Sequence, residues 1–239
     1  MHAPEYRIDD AVFVAHPDYR RGVVLVDAAD NGRDGAALVA RLREAEAAAR
    51  ERVTGNVAEV PRVAAWREAY RRFGAKPSEH RSAIEALLRR VTKPDALPSI
   101  NPLVDLGNAM SLAHLLPIGV HPLDGVEGSL ALRPAREGDV FAPPDGGPPE
   151  SPPAGEIVLA RGATVLTRRW TWRQAAGTQI LPTTTRCFVN VDGLPPATAD
   201  EVDAAMREVA TLVAERVGGR VVRAEVLSAV CPSMSLAFD

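Results

Sequence analysis

The strongest constraint on this chain is a change of character near its middle. As far as Leu115 it is rich in Ala, Leu, Arg and Glu; beyond that, short apolar runs are broken by Gly and Pro. Ala11 to Ala15 and Gly22 to Val26 predict two strands about a polar turn at His16-Pro17-Asp18. From Asp34 to Val53, Leu38, Leu42, Ala45 and Ala49 follow three-to-four spacing, which predicts an amphipathic helix. A second helix opens at Pro61, where a missing N–H does no harm, and stops at Phe73-Gly74. Ser78 is placed to cap a third helix carrying Ile84, Leu87, Leu88 and Val91 on one face. A fourth runs from about Pro102 to Leu115.

In the second half, Val120 to Leu123, Gly128 to Leu132, Glu156 to Ala160, Thr164 to Trp172 and Thr185 to Val191 read as strands. Thr198 to Val217 is a helix, with Val202, Met206, Val209, Leu212 and Val213 on one face, and Arg220 to Val226 is a last strand. Pro143 to Pro153 holds six prolines and two glycines, so it predicts a loop that neither pairs in a sheet nor continues a helix. The expected fold is α+β, one domain over residues 1–239, with mixed or antiparallel sheets and the N-terminal helices packed on them.

The net charge of −3 argues against indiscriminate binding of nucleic acid, so any such contact must be local. Arg67 to Lys93 is one candidate: eight basic residues against three acidic ones, a segment of +5 that leaves −8 for the rest. It is either a solvated pair of helix faces or a dock for phosphates. The two cysteines lack metal-knuckle spacing, the opening segment lacks the apolar run of a signal peptide, and no stretch approaches the ~18 apolar residues that span a bilayer. A cytoplasmic protein without metal or cofactor, and without a membrane partner, is the expectation.

Several residues carry chemistry. Trp170 and Trp172, on the predicted strand, share one face, while Arg169, Thr171 and Arg173 share the other. The indoles either fill the core or form a stacking surface; the arginines need partners such as Asp192 or Asp124. Asn101, Asp105 and Asn108 recur at intervals of four and three, a polar stripe on the fourth helix. That stripe faces a polar cavity, or else Asn101 caps the helix and the others are merely exposed. His121, before Pro122 and Asp124, is a candidate proton acceptor near neutrality.

These residues lie within a longer series. Arg71-Arg72-Phe73-Gly74-Ala75-Lys76-Pro77-Ser78 is followed by Asn101-Pro102-Leu103-Val104-Asp105-Leu106-Gly107-Asn108 and then Leu116-Pro117-Ile118-Gly119-Val120-His121-Pro122-Leu123-Asp124. Further on stand Leu166 to Gln174, Thr178, Thr184-Thr185-Arg186 and Val191-Asp192-Gly193. The series resembles the freestanding relatives of the tRNA-editing domain, formed by the third and fourth B modules, of the phenylalanyl-tRNA synthetase beta subunit. The resemblance is strongest over residues 60–193. The synthetase pattern of Val-Asp, two residues, Asn, and later Pro-x-His-x-x-Asp is met by Val104-Asp105, Asn108, and His121 with Asp124. Two extra residues separate Asn108 from His121, and Asn101 stands where the synthetases usually carry serine.

The resemblance implies hydrolysis of a mischarged aminoacyl-tRNA in trans. His121, Asn108 and Asp105 would then be catalytic. Asn101, Asp124, Trp170, Trp172, Arg173 and Arg186 would bind the substrate, and Arg71, Arg72, Lys76, Ser78 and Arg81 the tRNA. The rival is a non-catalytic module of the same fold that binds tRNA or a small ligand; a hydrolase of small esters is a third reading. The amino acid, the tRNA and the oligomeric state stay open.

Overall fold

The computed structural model describes residues 4–125 and 128–238; Met1–Ala3 of the opening segment read for a leader lie outside that range. Among the described residues, two sheets pack with six helices. The first half supplies β1 (Glu5–Ile8), α1 (Asp10–Ala15), β2 (Arg20–Asp27), α2 (Ala36–Arg52), a 3-10 turn at Val57–Glu59, α3 (Pro61–Arg72), α4 (Ala83–Val91) and α5 (Pro102–His114). The second half supplies β3 (Ile118–Pro122), β4 (Leu130–Pro134), β5 (Val140–Phe141), β6 (Ile157–Arg161), β7 (Thr164–Arg168), β8 (Arg173–Gln174) and β9 (Cys187–Gly193). It ends with α6 (Ala199–Leu212), a π turn at Val213–Val217, β10 (Arg220–Leu227) and β11 (Ser233–Ser235). The α+β expectation holds.

The smaller sheet has the order β10-β2-β9-β3 and is antiparallel throughout. The larger has the order β11-β1-β4-β6-β7-β5, with β8 added beside β7; it is mixed, because β1–β4 and β5–β7 are parallel pairs. Along β9 the side chains alternate between two cores: Cys187, Val189 and Val191 pack with α5 and α6, while Phe188 turns to the other side. Two glycines let α6 lie against the smaller sheet. A Cβ on Gly22 would stand 2.8 Å from Met206 Cβ, and one on Gly193 2.3 Å from Val202 Cγ2.

Most helix ends follow their sequence signals. Pro61 opens α3, Asn101 caps α5 by accepting from the Val104 N–H, and Thr198 with Glu201 forms a capping box on α6. Three expectations are corrected. Ala11–Ala15 is the body of α1, not a strand: Asp9 accepts from the Ala11 N–H at 3.0 Å, and the run buries only Val12 and Phe13. The cap of α4 is Ser82, not Ser78, which is exposed in the preceding turn. The strand expected to reach Trp172 stops at Arg168, because Arg169 and Trp170 take φ of +46° and +64°. Such left-handed geometry in non-glycine residues ends the alternation of faces. One residue of the proline-rich segment also pairs after all: Glu150 exchanges both backbone hydrogen bonds with Phe141 at 2.8 Å.

Candidate functional site

A cavity of about 210 Å³ lies between the two sheets. Its floor is one face of β2, β9 and β3, where the register places Gly119 beside Asn190, His121 beside Phe188, and Arg21 beside Asp192. Leu159 and Thr167 of the larger sheet close it from above, with Trp170, Trp172 and Gln174. Val104, Gly107 and Asn108 of α5 and Ala83 at the start of α4 line one side.

A buried polar network supports the floor. Arg21 donates from Nε to Asp192 Oδ1 at 2.6 Å and from Nη1 to the Tyr6 hydroxyl; the Tyr19 hydroxyl donates to the same carboxylate oxygen. Trp170 donates from Nε1 to Tyr19 at 3.1 Å and packs edge-on against Tyr19, Trp66 and His16. Burial pushes the Tyr6 phenol up to about 12 and that of Tyr19 well above its ordinary value, so both stay protonated. Arg21 is held charged by Asp192 and the two phenols in spite of its burial.

His121 is 5% exposed and its ring stacks on Phe188, centroids 4.9 Å apart and planes 9° apart. Burial, with Arg21 adding to it, lowers its pKa to about 3. The imidazole is therefore neutral across the physiological range and is a hydrogen-bonding group, not a strong base. Gln174 Nε2 donates to Val120 O at 2.8 Å and lies 3.3 Å from His121 Nδ1.

At the rim, the Arg169 guanidinium sits 4.3 Å from the centre of the Trp172 ring. Arg173 pairs with Asp145 of the proline-rich loop at 2.9 Å. The neighbouring Arg168 grips Glu156 through two bonds, at 2.8 and 2.7 Å, and also reaches Glu150, so two ion pairs tie that loop to the cavity wall.

The fold thus gathers His121, Asn108, Trp170, Trp172 and Arg173 around one space. It leaves the other sequence-derived candidates elsewhere. Asp105 accepts from Ser99 Oγ at 2.5 Å and from the Ile100 N–H at 3.0 Å, fixing the turn before α5. Asn101 caps α5 and donates to Ile180 O at 3.1 Å. Asp124 accepts from the backbone of Thr185 and Arg186, and Arg186 pairs with Asp27 while covering the Phe238 ring.

The basic segment also divides. Arg71 pairs with Glu68, Lys76 with Glu79, and Arg72 reaches Glu68 and Ala15 O. Arg67 and Arg89 share the buried Glu85. Arg81, Arg90 and Lys93 have no acidic partner among the described residues, and with Arg89 they line a groove between α4 and the 3-10 turn. Arg81 of that groove stands two residues before Ala83, which lines the cavity.

Sequence reading missed Arg21, Thr167, Gln174 and Asn190. The signal for Asn190 was present: in Cys187-Phe188-Val189-Asn190-Val191-Asp192-Gly193 the polar residues sit two apart in an otherwise apolar run, which puts both on one face of a buried strand.

Among the described residues no helix is long and apolar enough to cross a membrane, and no group of three or more His, Cys, Asp or Glu is gathered as metal ligands. Residues 65–218 match the B3/4 domain family. Among solved structures, the chain is similar to an N-terminal fragment of the phenylalanyl-tRNA synthetase beta-subunit from Pyrococcus horikoshii, with a TM-score of 0.50 and 12% identity. The match covers 90% of this chain and 49% of that one, so this chain spans about half the length of the fragment. At that identity the likeness is one of fold. No curated protein matches the chain.

Proposed function

The chain belongs to the B3/4 domain family, and on that premise we propose that it hydrolyses the ester of a mischarged aminoacyl-tRNA in trans. The observation that carries this reading is the cavity itself: apolar walls and two indoles around the neutral hydrogen-bonding groups of His121, Asn108, Gln174 and Asn190. An aminoacyl ester is intrinsically reactive. Its hydrolysis adds water across the acyl C–O bond, giving a free amino acid and the ribose hydroxyl. The site must hold the ester, place a water and stabilise the oxyanion, and neutral donors suffice for that. The solved neighbour is a fragment of a phenylalanyl-tRNA synthetase subunit, which favours a tRNA-borne ester over a free one.

In this reading, His121 and the amides of Asn108 and Gln174 orient water and ester. Trp172 covers the acyl group, and Trp170 packs behind it. Arg173, released from Asp145, receives the terminal ribose-phosphate. Asp105, Asn101, Asp124 and Arg186 act at a distance, by fixing the turns that carry α5 and β3. Arg81, Arg90 and Lys93 take phosphates further along the strand, whereas Arg71, Arg72, Lys76 and the exposed Ser78 contribute little because the cations among them already have partners.

The low pKa of His121 favours a second reading, in which the same cavity binds an aminoacyl end without turnover. A deacylation panel separates the two. The protein in excess is incubated with many mismatched aminoacyl-tRNA pairs, beside His121→Ala and Arg173→Ala. Fast release from one pair, lost in the variants, establishes the hydrolase. A flat panel accompanied by saturable binding of the same substrates establishes the binding module instead.

A further inference from the structure

Four strands end the two sheets: β10 and β3 the smaller one, β11 and β5 the larger. Three of them are short or covered. β5 has two residues and is bridged by Glu150, β11 has three, and β3 has five with its Val120 carbonyl already accepting from Gln174. β10 runs for eight residues, pairs with β2 along one edge, and meets no strand along the other among the described residues. A long free edge is a template for another strand, and proteins blunt such edges with lysine, proline or short length. β10 carries neither lysine nor proline.

The charges in its middle, Arg223 and Glu225, are opposite in sign and two residues apart, so they share a face. Within one chain they pair at 3.2 Å, with side chains 39% and 35% exposed. Ala224 between them is small and exposed. The register shift against β2 falls before this stretch, at Val222.

Two copies of one strand pair antiparallel about a twofold axis perpendicular to the sheet, so each residue meets one on its own face, an even number of positions away. An axis through Arg223 sets arginine against arginine, and one through Glu225 sets glutamate against glutamate. The axis through Ala224 sets Arg223 against Glu225 of the second copy, twice, with Val222 against Val226 on either side. Unlike charges directly opposite each other stabilise such a pair and like charges destabilise it. Two charges of one sign would keep a second copy off this edge; one of each admits it in a single register.

We propose that the free edge of β10 is a self-association surface, to which a second copy of this chain adds its own β10, antiparallel and centred on Ala224, joining the two four-stranded sheets into one. The contact is a single strand pair, so the dimer is weak and depends on concentration. No residue of β10 lines the cavity, so association and binding there are separate properties.

Sedimentation equilibrium of the full chain from micromolar to millimolar concentration tests it, in the wild type, Arg223→Glu, Glu225→Arg and the double reversal. The wild type dimerises reversibly. Either single change sets like charges against each other twice and weakens dimerisation by at least ~10-fold. The double reversal restores it. An equimolar mixture of the two single variants forms a heterodimer, because the acidic pair on one edge meets the basic pair on the other. Circular dichroism establishes that each variant is folded. Should a charge reversal fail to fold, Ala224→Lys, at an exposed position, sets two ammonium groups on the axis and carries the same expectation. A wild type that stays monomeric at millimolar concentration overturns the proposal. So does a dimer unchanged in the single variants and Ala224→Lys, or a loss that neither the mixture nor the double reversal restores.

Discussion

The α3–α4 face and the cavity invert each other. The face is crowded with charge, yet most of it is already matched: Arg71 and Arg72 meet Glu68, Lys76 meets Glu79, and Arg67 and Arg89 meet Glu85. The cavity holds few charges, and those are paired, but it keeps neutral polar atoms on Asn190 and Thr167 unmatched. Formal charge is therefore a poor guide to where this molecule is prepared to bind. What matters is whether a group's partner is already present, and for Asn190 Oδ1 and Thr167 Oγ1 it is not.

The largest test of this contrast attacks the buried ion pair beneath the cavity floor. Asp192→Ala leaves the buried Arg21 charge with only neutral phenols beside it and is expected to cost about 3–5 kcal/mol of stability in urea unfolding. A loss of under 1 kcal/mol would mean that water reaches the floor. The next concerns His121. Below pH ~6.5 the unfolded histidine takes up a proton, whereas in the folded protein it does so only near pH 3. Its contribution is present above the unfolded value and lost as pH falls, at about 1.4 kcal/mol per pH unit. His121→Gln should flatten that part of the acid stability curve, and the activity profile of the wild type should show no histidine inflection near neutrality.

A smaller effect of opposite sign is expected from Thr167→Val, which removes a buried hydroxyl with no partner. Stability should rise by up to about 1 kcal/mol. On the charged face, Arg71→Ala and Lys76→Ala should each shift stability by less than ~0.5 kcal/mol, because both pairs are exposed. RNA binding sharpens the division within that face. Replacing Arg81, Arg90 and Lys93 together should lower the salt dependence of tRNA affinity by about 2 in slope, while replacing Arg71 and Lys76 leaves it unchanged. The reverse result would return the docking surface to the paired residues.

Much of the scaffold was legible in the sequence because local rules and global fold agree there. In α3, α5 and α6 the capping residues, prolines and three-to-four spacing all point the same way. α1 was misread because a six-residue element offers too few turns for its period to tell helix from strand; Asp10, Ala11, Val14 and Ala15 mark its exposed side. The site was half legible. His121, Asn108 and Arg173 were singled out and line one cavity, but Asp105 and Asn101 share a helix face that supports the preceding turn and not the cavity. The departure at Arg169 and Trp170 could not be read at all, since nothing in an Arg-Arg-Trp sequence announces left-handed backbone. Without that turn, Trp170 would not reach Tyr19, and the cavity would lose its back wall.

The strand order has a consequence for how the polypeptide is made. β2 lies in the middle of its sheet, but its two neighbours are β9 and β10, near the other end of the chain. During synthesis the run Gly22-Val23-Val24-Leu25-Val26 leaves the ribosome with its permanent partners still untranslated. It must wait as an apolar ribbon with both edges open, while α2 to α5 form beside it from local contacts. Folding is thus gated by the last third of translation, and the second strand made is among the last to be secured.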